Sequence, residues 1–297
     1  MRLIYTVLLL IGICLIAQTQ TIAVDTVVRL EWRVSDGDTL AYSTVMKEIG
    51  ANRFSTDLEY LFDESVDSSK SVSSALHNAT SFIEKIKKIS ASTDYITYLT
   101  NSSQFPESVD VVMIGNQKGN SKSAKDSDEN RLIRSMMQGA MLRGVVGKAG
   151  GLESFWIKQA QKNLISILFE LPKGELAIGD TWSLSNVNLI GNDQNFMCRE
   201  ALKRNQVTLV DITQRNGDVV AILDYTILEE VQGMFKSPLT SSHGDGTPTS
   251  MRFAFKGQAE FDITTGHWIS YEGVMSGKME GIMNSTQNQK FALILQQ

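Results

Sequence analysis

The chain has little of what builds metal and cofactor sites: two cysteines and three histidines in 297 residues. That supply falls short of a Cys/His zinc module. Proline is also scarce, at four, so no collagen-like or proline-rich tract is present. Positive charge does not dominate. Lys and Arg number 28 against 33 Asp and Glu, a formal net charge of −5, which leaves no global basic field to gather nucleic acid. What remains is a chain that is 42% hydrophobic and 21% charged, a globular composition able to bury a core. No metal and no cofactor is expected.

One long apolar run does occur, at the very start. Arg2 precedes a nearly unbroken apolar stretch from Leu3 to Ile16, and Ala17 and Ala23 follow in a polar Gln/Thr segment. This order reads as a secretory signal peptide covering residues 1–23, with cleavage after Ala23 and a competing cut after Ala17. The run is shorter than the roughly 20 residues an anchored membrane helix needs. Cys14 lies inside it behind Ile13, not behind a small residue, which argues against a lipid-anchored terminus. Cleavage would remove Arg2 and no acid, leaving 27 basic and 33 acidic residues and a charge of −6. Only Cys198 would remain, so no internal disulfide can form despite the permissive route, and the expectation for Cys198 is a buried structural thiol. Asn78, Asn101 and Asn284 match the glycosylation acceptor pattern, but a chain this rich in Ser and Thr produces such matches by composition alone.

Residues 24–297 read as one β-rich domain, with a boundary near Pro172 dividing it into possible lobes 24–170 and 171–297. Val27–Ser35 and Thr39–Lys47 flank Asp36-Gly37 and predict a hairpin. In Ser71–Ile89 the apolar residues Val72, Ala75, Leu76, Ala79, Phe82, Ile83, Ile86 and Ile89 recur at helical spacing, which predicts an amphipathic covering helix. Tyr95–Thr100 and Ser108–Gly115 read as strands, Asn116–Asn130 as a surface loop, and Ser135–Val146 and Leu152–Ile157 as further strands. Lys158–Leu168 reads as a short helix. Gln206–Gln214 and Val219–Val231 flank Asn216-Gly217, the strongest hairpin signal in the chain. Arg252–Thr264 alternates, with Phe253, Phe255, Ala259, Phe261 and Ile263 on one face. Trp268–Met279 and Phe291–Leu295 complete the strands, and Gly233–Ser250 reads as a loop. The fold class is therefore α+β, mainly antiparallel β: curved β-meander sheets with one or two covering helices.

Catalytic signals are weak. Ser241, Ser242, His243 and Asp245 are neighbours in one loop, whereas a hydrolytic triad is assembled from separated, rigidly held segments. His77 and His267 read as surface residues. Asp36, Asp38, Asp211 and Asp224 read as turn chemistry. The glycines between Gly139 and Gly151 lack the Lys-Ser/Thr of a phosphate loop. A hydrolase is accordingly the least favoured class, and no catalytic residue is assigned.

One pattern stands out. From Ile269 the odd positions read Ile269, Tyr271, Gly273, Met275, Gly277, Met279 and Gly281, so glycine alternates with apolar residues on one strand face. Glycine within a strand marks a bend, a bulge or a close approach. With Phe253 and Phe255 next door, this predicts a curved sheet whose concave side offers an apolar ligand surface around Phe253, Phe255, Tyr271, Met275 and Met279. Methionine suits varied apolar partners.

Leu171-Pro172, Ile178-Gly179-Asp180-Thr181-Trp182, and Gly257-Gln258-Ala259-Glu260-Phe261-Asp262 with Thr265-Gly266 together resemble a family of exported bacterial envelope proteins defined only as a domain of unknown function. The resemblance implies an envelope location and a β-rich fold, and it carries no catalytic residues. A looser likeness, at the level of fold alone, is to half-barrel envelope proteins that carry lipids or lipoproteins. The functional expectation is an exported, non-enzymatic binding protein, periplasmic or secreted, whose ligand is lipid-like or a hydrophobic polypeptide. The alternative is an envelope scaffold acting through the loops Asn116–Asn130 and Gly233–Ser250. Neither reading involves nucleic acid or a transmembrane segment in the mature chain. A charge within the apolar run should block export, because it adds about 2.5–3.5 kcal/mol to insertion. Leu9→Arg is therefore expected to leave full-length precursor in the cytoplasm, while fractionation and N-terminal sequencing of the unaltered protein should find an exported chain starting at Val24.

Overall fold

The computed structural model describes residues 27–50, 53–56, 81, 85, 93–117, 128–158, 164–185, 187, 189–190, 195–236, 246–281 and 283–296. The expected signal peptide lies outside them. So does the helix expected at Ser71–Ile89, apart from Ser81 and Lys85, which are helical. The described elements, in chain order, are β1 (Val28–Arg29), β2 (Thr39–Glu48), β3 (Arg53–Thr56), β4 (Thr93–Asn101), β5 (Ser108–Gln117), α1 (Asp128–Met137), β6 (Gly139–Gly147), β7 (Leu152–Ile157), α2 (Ile165–Phe169), β8 (Glu175–Leu176), β9 (Thr181–Trp182), β10 (Phe196–Arg215), β11 (Asp218–Phe235), β12 (Thr247–Asp262), β13 (His267–Glu280) and β14 (Met283–Leu295). The fold is mainly antiparallel β. Twelve strands form one sheet in the order β7, β6, β5, β4, β2, β14, β13, β12, β11, β10, β9, with β3 also paired to β14. Strands from the two halves of the chain thus share a single sheet, joined where β2 lies beside β14.

The long C-terminal meander follows from its sequence. Asn216 and Gly217 both take positive φ, 55° and 98°, the geometry of a two-residue turn that matches strand twist. Beyond it, β10 and β11 run for 20 and 18 residues. On β12 Met251, Phe255, Ala259 and Phe261 are buried, whereas Arg252, Lys256 and Gln258 are exposed, so the expected alternation is present. Three register shifts interrupt the described meander, and two of them decide which core residues face inward. Between Leu209 and Asp211 one turns Ile212 inward; another beside Phe261 turns Trp268 inward and leaves Ile269 42% exposed. Ile269 therefore does not share the face of Tyr271, contrary to simple odd-even counting, because a bulge inserts one residue and flips every side chain beyond it.

The N-terminal strands pair differently from the expected hairpin. The turn at Asp36-Gly37 forms, with the Asp38 N–H donating to the Ser35 carbonyl at 3.0 Å, but its arms do not pair. β1 pairs with β8 as a separate two-stranded sheet, and β2 pairs with β14 and β4. The segment between β1 and the turn instead buries Leu30, Trp32 and Val34, apolar burial that outweighs a short ladder. Residues 128–137, read partly as loop and partly as strand, are α1; only Ile133 is buried there, too little apolar surface to mark a helix in a polar run. Asp128 and Glu129 in its first turn and Arg134 in its last complement the helix dipole. The loop expected at Gly233–Ser250 is shorter, since β11 extends to Phe235 and β12 starts at Thr247.

The organising element is α2. All five of its residues are buried, and a Cβ on Gly144 of β6 would lie 2.7 Å from Ile165 Cδ1. A helix leaves its last carbonyls without intrahelical donors. Here aromatic side chains supply them: Trp32 Nε1 donates to Phe169 O at 2.9 Å, Trp268 Nε1 to Leu168 O at 2.8 Å, and the Tyr271 hydroxyl to Ile167 O at 2.6 Å. The rings pack on one another, Trp32 edge-on to Phe261 and Trp268 with centroids 5.5 and 5.7 Å apart. Burial pushes the Tyr42, Tyr225 and Tyr271 hydroxyls above their ordinary range, so all three stay neutral. Tyr271→Phe strips the Ile167 carbonyl of its donor inside the core. It is expected to lower stability by about 1–3 kcal/mol, read as a lower urea midpoint with an unchanged slope.

Candidate functional site

The register places all five expected ligand residues on the inner face. Phe253 pairs with Gly277, Phe255 with Met275, Met251 with Met279, and Ala259 with Tyr271. They divide by depth. Phe255 and Tyr271, each 1% exposed, belong to the core: Tyr271 holds the Ile167 carbonyl, and Phe255 packs edge-on to Tyr225, Tyr271 and Phe291. Phe253, Met275 and Met279 lie further along the strands and are half-buried.

The alternating glycines have a local cause. A Cβ at Gly273 would stand 2.8 Å from Phe255 Cζ and 2.6 Å from the Lys256 carbonyl oxygen, and a Cβ at Gly277 would stand 2.6 Å from Phe253 Cε1. The two phenylalanine rings thus lie over the neighbouring strand in the space where side chains are missing. On the outer face, Gly257 and Gly273 line a shallow groove of about 500 Å³ with Asp224, Lys256, Gln258, Glu272 and Lys290. Its polar groups are largely spent on one another: Gln258 donates to Asp224 at 3.0 Å, and Lys290 pairs with Glu272 at 2.7 Å.

A second cavity, of about 330 Å³, borders the inner face at β10 and β11. Its lining includes Leu184, Ser185, Val187, Lys203, Asn205 and Glu229. Side chains tie the preceding segment down. Glu170, 4% exposed, accepts the backbone N–H and the hydroxyl of Ser185, both at 2.8 Å. The Asn205 amide donates to the Leu184 carbonyl at 2.6 Å and its oxygen accepts the Leu184 N–H at 3.2 Å. Glu229, 2% exposed, accepts the N–H groups of Leu189 and Ile190 at 2.7 and 2.9 Å and the Lys203 ammonium at 3.2 Å. Our sequence reading missed this cluster. The signal was available: Glu229 falls on the apolar phase of β11, after Leu223, Tyr225 and Ile227.

Chemistry elsewhere is sparse. Cys198 is exposed, not buried, with its thiol 3.3 Å from the Glu200 carbonyl. The reason is its place on β10, where β9 pairs only with Val207 and Thr208 and leaves the strand's first half at the sheet margin. Asp36 accepts from Asn101 at 2.8 Å, while Asp211 and Asp224 sit within β10 and β11 and not at a turn. Ser241, Ser242, His243, Asp245 and His77 lie outside the described residues. Among the described residues no group of three or more His, Cys, Asp or Glu could hold a metal, and no helix is long and apolar enough to cross a membrane.

The residues that carry the family resemblance are turn builders. Gly179 donates its N–H to Leu209 O at 2.7 Å, and the Asp180 carboxylate accepts the Ala177 N–H at 2.8 Å. Asp262 accepts the N–H groups of Thr264 and Thr265 at 2.8 and 3.1 Å. Burial opposes ionisation of Asp262, but the Thr265 hydroxyl, these two N–H groups and the nearby His267 outweigh it and hold the carboxyl below its ordinary range. A carboxyl so depressed stabilises the fold at neutral pH and loses that contribution as pH falls through its lowered value. Asp262→Asn should therefore reduce stability at pH 7 and flatten the loss on acidification, as measured by urea midpoints between neutral pH and about pH 3. No family model, curated protein or solved structure matches the chain.

Proposed function

We propose that the chain is an exported, non-enzymatic binding protein of the envelope type its motifs resemble, and that it takes a lipid-like ligand or hydrophobic polypeptide on the inner face of β11, β12 and β13. The observation that carries this reading is the half-buried apolar group Val231, Phe253, Met275 and Met279, which continues the inner face at the border of the core, with Phe253 and Met275 packed against it. Flexible, polarisable methionine lets such a surface fit apolar partners of varied shape, and an antiparallel sheet with one polar face leaves the other for burial. Export rests on the first 23 residues of the sequence.

An interaction-protein reading draws on a different place. Of the loops expected to serve it, Asn116–Asn130 and Gly233–Ser250, residues 118–127 and 237–245 lie outside the described residues, and much of the remainder is strand or helix. The six-residue strand β7, however, ends the described sheet and carries Phe155 and Trp156 at 41% and 51% exposed, and an open strand edge can pair with another chain. The binding reading is preferred because its apolar residues converge on one face.

Native mass spectrometry and lipid extraction of protein from its own cell should recover a bound apolar species, and an apolar dye should give a saturable signal. Met275→Trp should abolish dye uptake while unfolding stays cooperative. A protein that carries nothing and takes up no dye would rule the reading out.

A further inference from the structure

Strand β10 is open on one side for half its length. It pairs with β11 from Phe196 to Arg215, while β9 reaches only Val207 and Thr208 on its other side. Every residue from Met197 to Arg204 is exposed, whichever face of the sheet it lies on, and Leu202 is 57% exposed. The direction of the backbone groups along this edge follows from the bonds at its far end. The Leu209 N–H donates to the Asp180 carbonyl at 3.0 Å, the Leu209 carbonyl accepts from the Gly179 N–H at 2.7 Å, and the Asn205 carbonyl accepts from the Ser183 hydroxyl at 2.7 Å. Strand alternation turns the N–H and C=O of Lys203 and Ala201 the same way, away from β11. Among the described residues no backbone group meets them there. A bulge between Cys198 and Glu200 ends the regular stretch, so the free ladder runs from Glu200 to Arg204.

An open edge invites another strand, and the charges on this one restrict which. A second copy pairing antiparallel about a two-fold axis meets the same residues in reverse order, and alternation allows only axes centred on a residue. An axis at Glu200, Lys203 or Arg204 sets a charge against its own copy. One at Ala201 sets Arg199 against Lys203. The axis at Leu202 avoids all of these conflicts: Leu202 meets Leu202 of the second copy, Glu200 faces Arg204 of the second copy, and the reverse pair forms on the other side. These three side chains share the outer face, because their partners on β11 are Gln232, Glu230 and Leu228, which alternate with the inward Val231 and Glu229. Neither Glu200 nor Arg204 makes an ion pair with another described residue of its own chain. The same axis sets Ala201 opposite Lys203, the residues whose backbone groups point outward, so reciprocal N–H to C=O bonds form on both sides of it.

We infer that Glu200–Arg204 is a self-pairing edge, on which a second copy of this chain docks antiparallel about a two-fold axis at Leu202 and joins two sheets into one. Charges are a common guard on strand edges against indiscriminate pairing; here the order Glu, Ala, Leu, Lys, Arg leaves one self-pairing register open. The inference stands apart from the ligand reading, since the inner face of β12 and β13 takes no part in it.

Sedimentation equilibrium of the purified protein should show a monomer and dimer in exchange. Glu200→Arg and Arg204→Glu each put like charges opposite one another on both sides of the axis, and each should weaken the dimer at least about tenfold. Combined in one chain, the two changes restore opposite charges and should return dimerisation to near its unaltered strength. Both positions are exposed, and an unchanged urea midpoint checks that each variant is folded. In a Cys198→Ser background, Leu202→Cys should cross-link to its own copy on mild oxidation, because the axis brings the two Cα atoms within the span of a disulfide. Ala201→Cys should not, since its own copy lies two residues along the ladder. A chain that stays monomeric, as it would if the edge took a strand of a different protein, overturns the inference. So does a dimer that the single changes leave intact or the double change fails to restore, because the contact then lies elsewhere. Cross-linking through Ala201→Cys in preference to Leu202→Cys overturns it too, by moving the axis.

Discussion

Three consecutive backbone carbonyls at the end of a five-residue helix, buried in the middle of the protein, each need a donor. Leaving one unmatched would cost about 1–3 kcal/mol, and a helix end offers no partner of its own. Trp32, Trp268 and Tyr271 meet the demand from two separate parts of the chain. Trp32 comes from the segment between β1 and the Asp36-Gly37 turn, and Trp268 and Tyr271 come from β13. The bulge beside Phe261 is what brings Trp268 and Tyr271 onto the same face, three residues apart on a strand where a spacing of two would be regular. The carbonyls of α2 therefore fix the phase of β13, the path of the N-terminal segment and the position of Phe169 against Tyr42, whose ring centroids lie 6.3 Å apart. The Tyr42 hydroxyl accepts the Trp268 N–H at 3.1 Å, which ties β2 into the same arrangement.

How much of this was legible in the sequence follows from where each part gets its stability. The β10–β11 turn and the alternation of β12 are local: Asn216-Gly217 takes its geometry unaided, and Phe253, Phe255, Ala259 and Phe261 announce one buried face. The two ends of the meander were legible only in part, since the polar stretches at Phe196–Asn205 and Met283–Lys290 carry no strong period, and their strand form comes from pairing with β11 and β13. The N-terminal hairpin failed for the opposite reason. Leu30, Trp32 and Val34 have a good strand pattern, but Trp32 finds its partners at Lys148 and Phe169, more than a hundred positions away. A five-residue helix such as α2 gives almost no periodic signal, and its aromatic donors are visible only once β13 is folded beside it.

The ligand face shows the same division. Sequence pattern put Phe253, Phe255, Tyr271, Met275 and Met279 on one side of the sheet, and the register agrees. It could not separate depth. Phe255 and Tyr271 are drawn into the aromatic packing around α2, while Phe253, Met275 and Met279 lie past the reach of that helix. The glycines between them are explained by the rings: Phe255 lies against Gly257 and Gly273, and Phe253 against Gly277. Glycine weakens a strand by removing packing surface, and an aromatic ring laid across it restores that surface.

Glu170 and Glu229 bear on why the inner face has a polar margin at all. A carboxylate taken out of water loses several kcal/mol of hydration unless its lone pairs are matched. A leucine at position 229 would continue the apolar phase of β11 at no such cost, yet it would leave the Leu189 and Ile190 N–H groups without their acceptor. Glu170 stands in the same relation to Ser185. The two acids thus tie Ser185, Leu189 and Ile190 to the sheet, and Asn205 holds Leu184. Leu184 and Ile227 are buried in one apolar cluster with Val187 packed against it, and the cavity lies beside them. Lys203 pairs with Glu229 and the Glu170 carboxylate accepts from Ser185, so the buried acids of the margin are matched locally. Local charge, set by which side chains the sheet register brings to one edge, decides what the surface can attract at contact distance, because the field of the remaining charges is screened beyond about 10 Å.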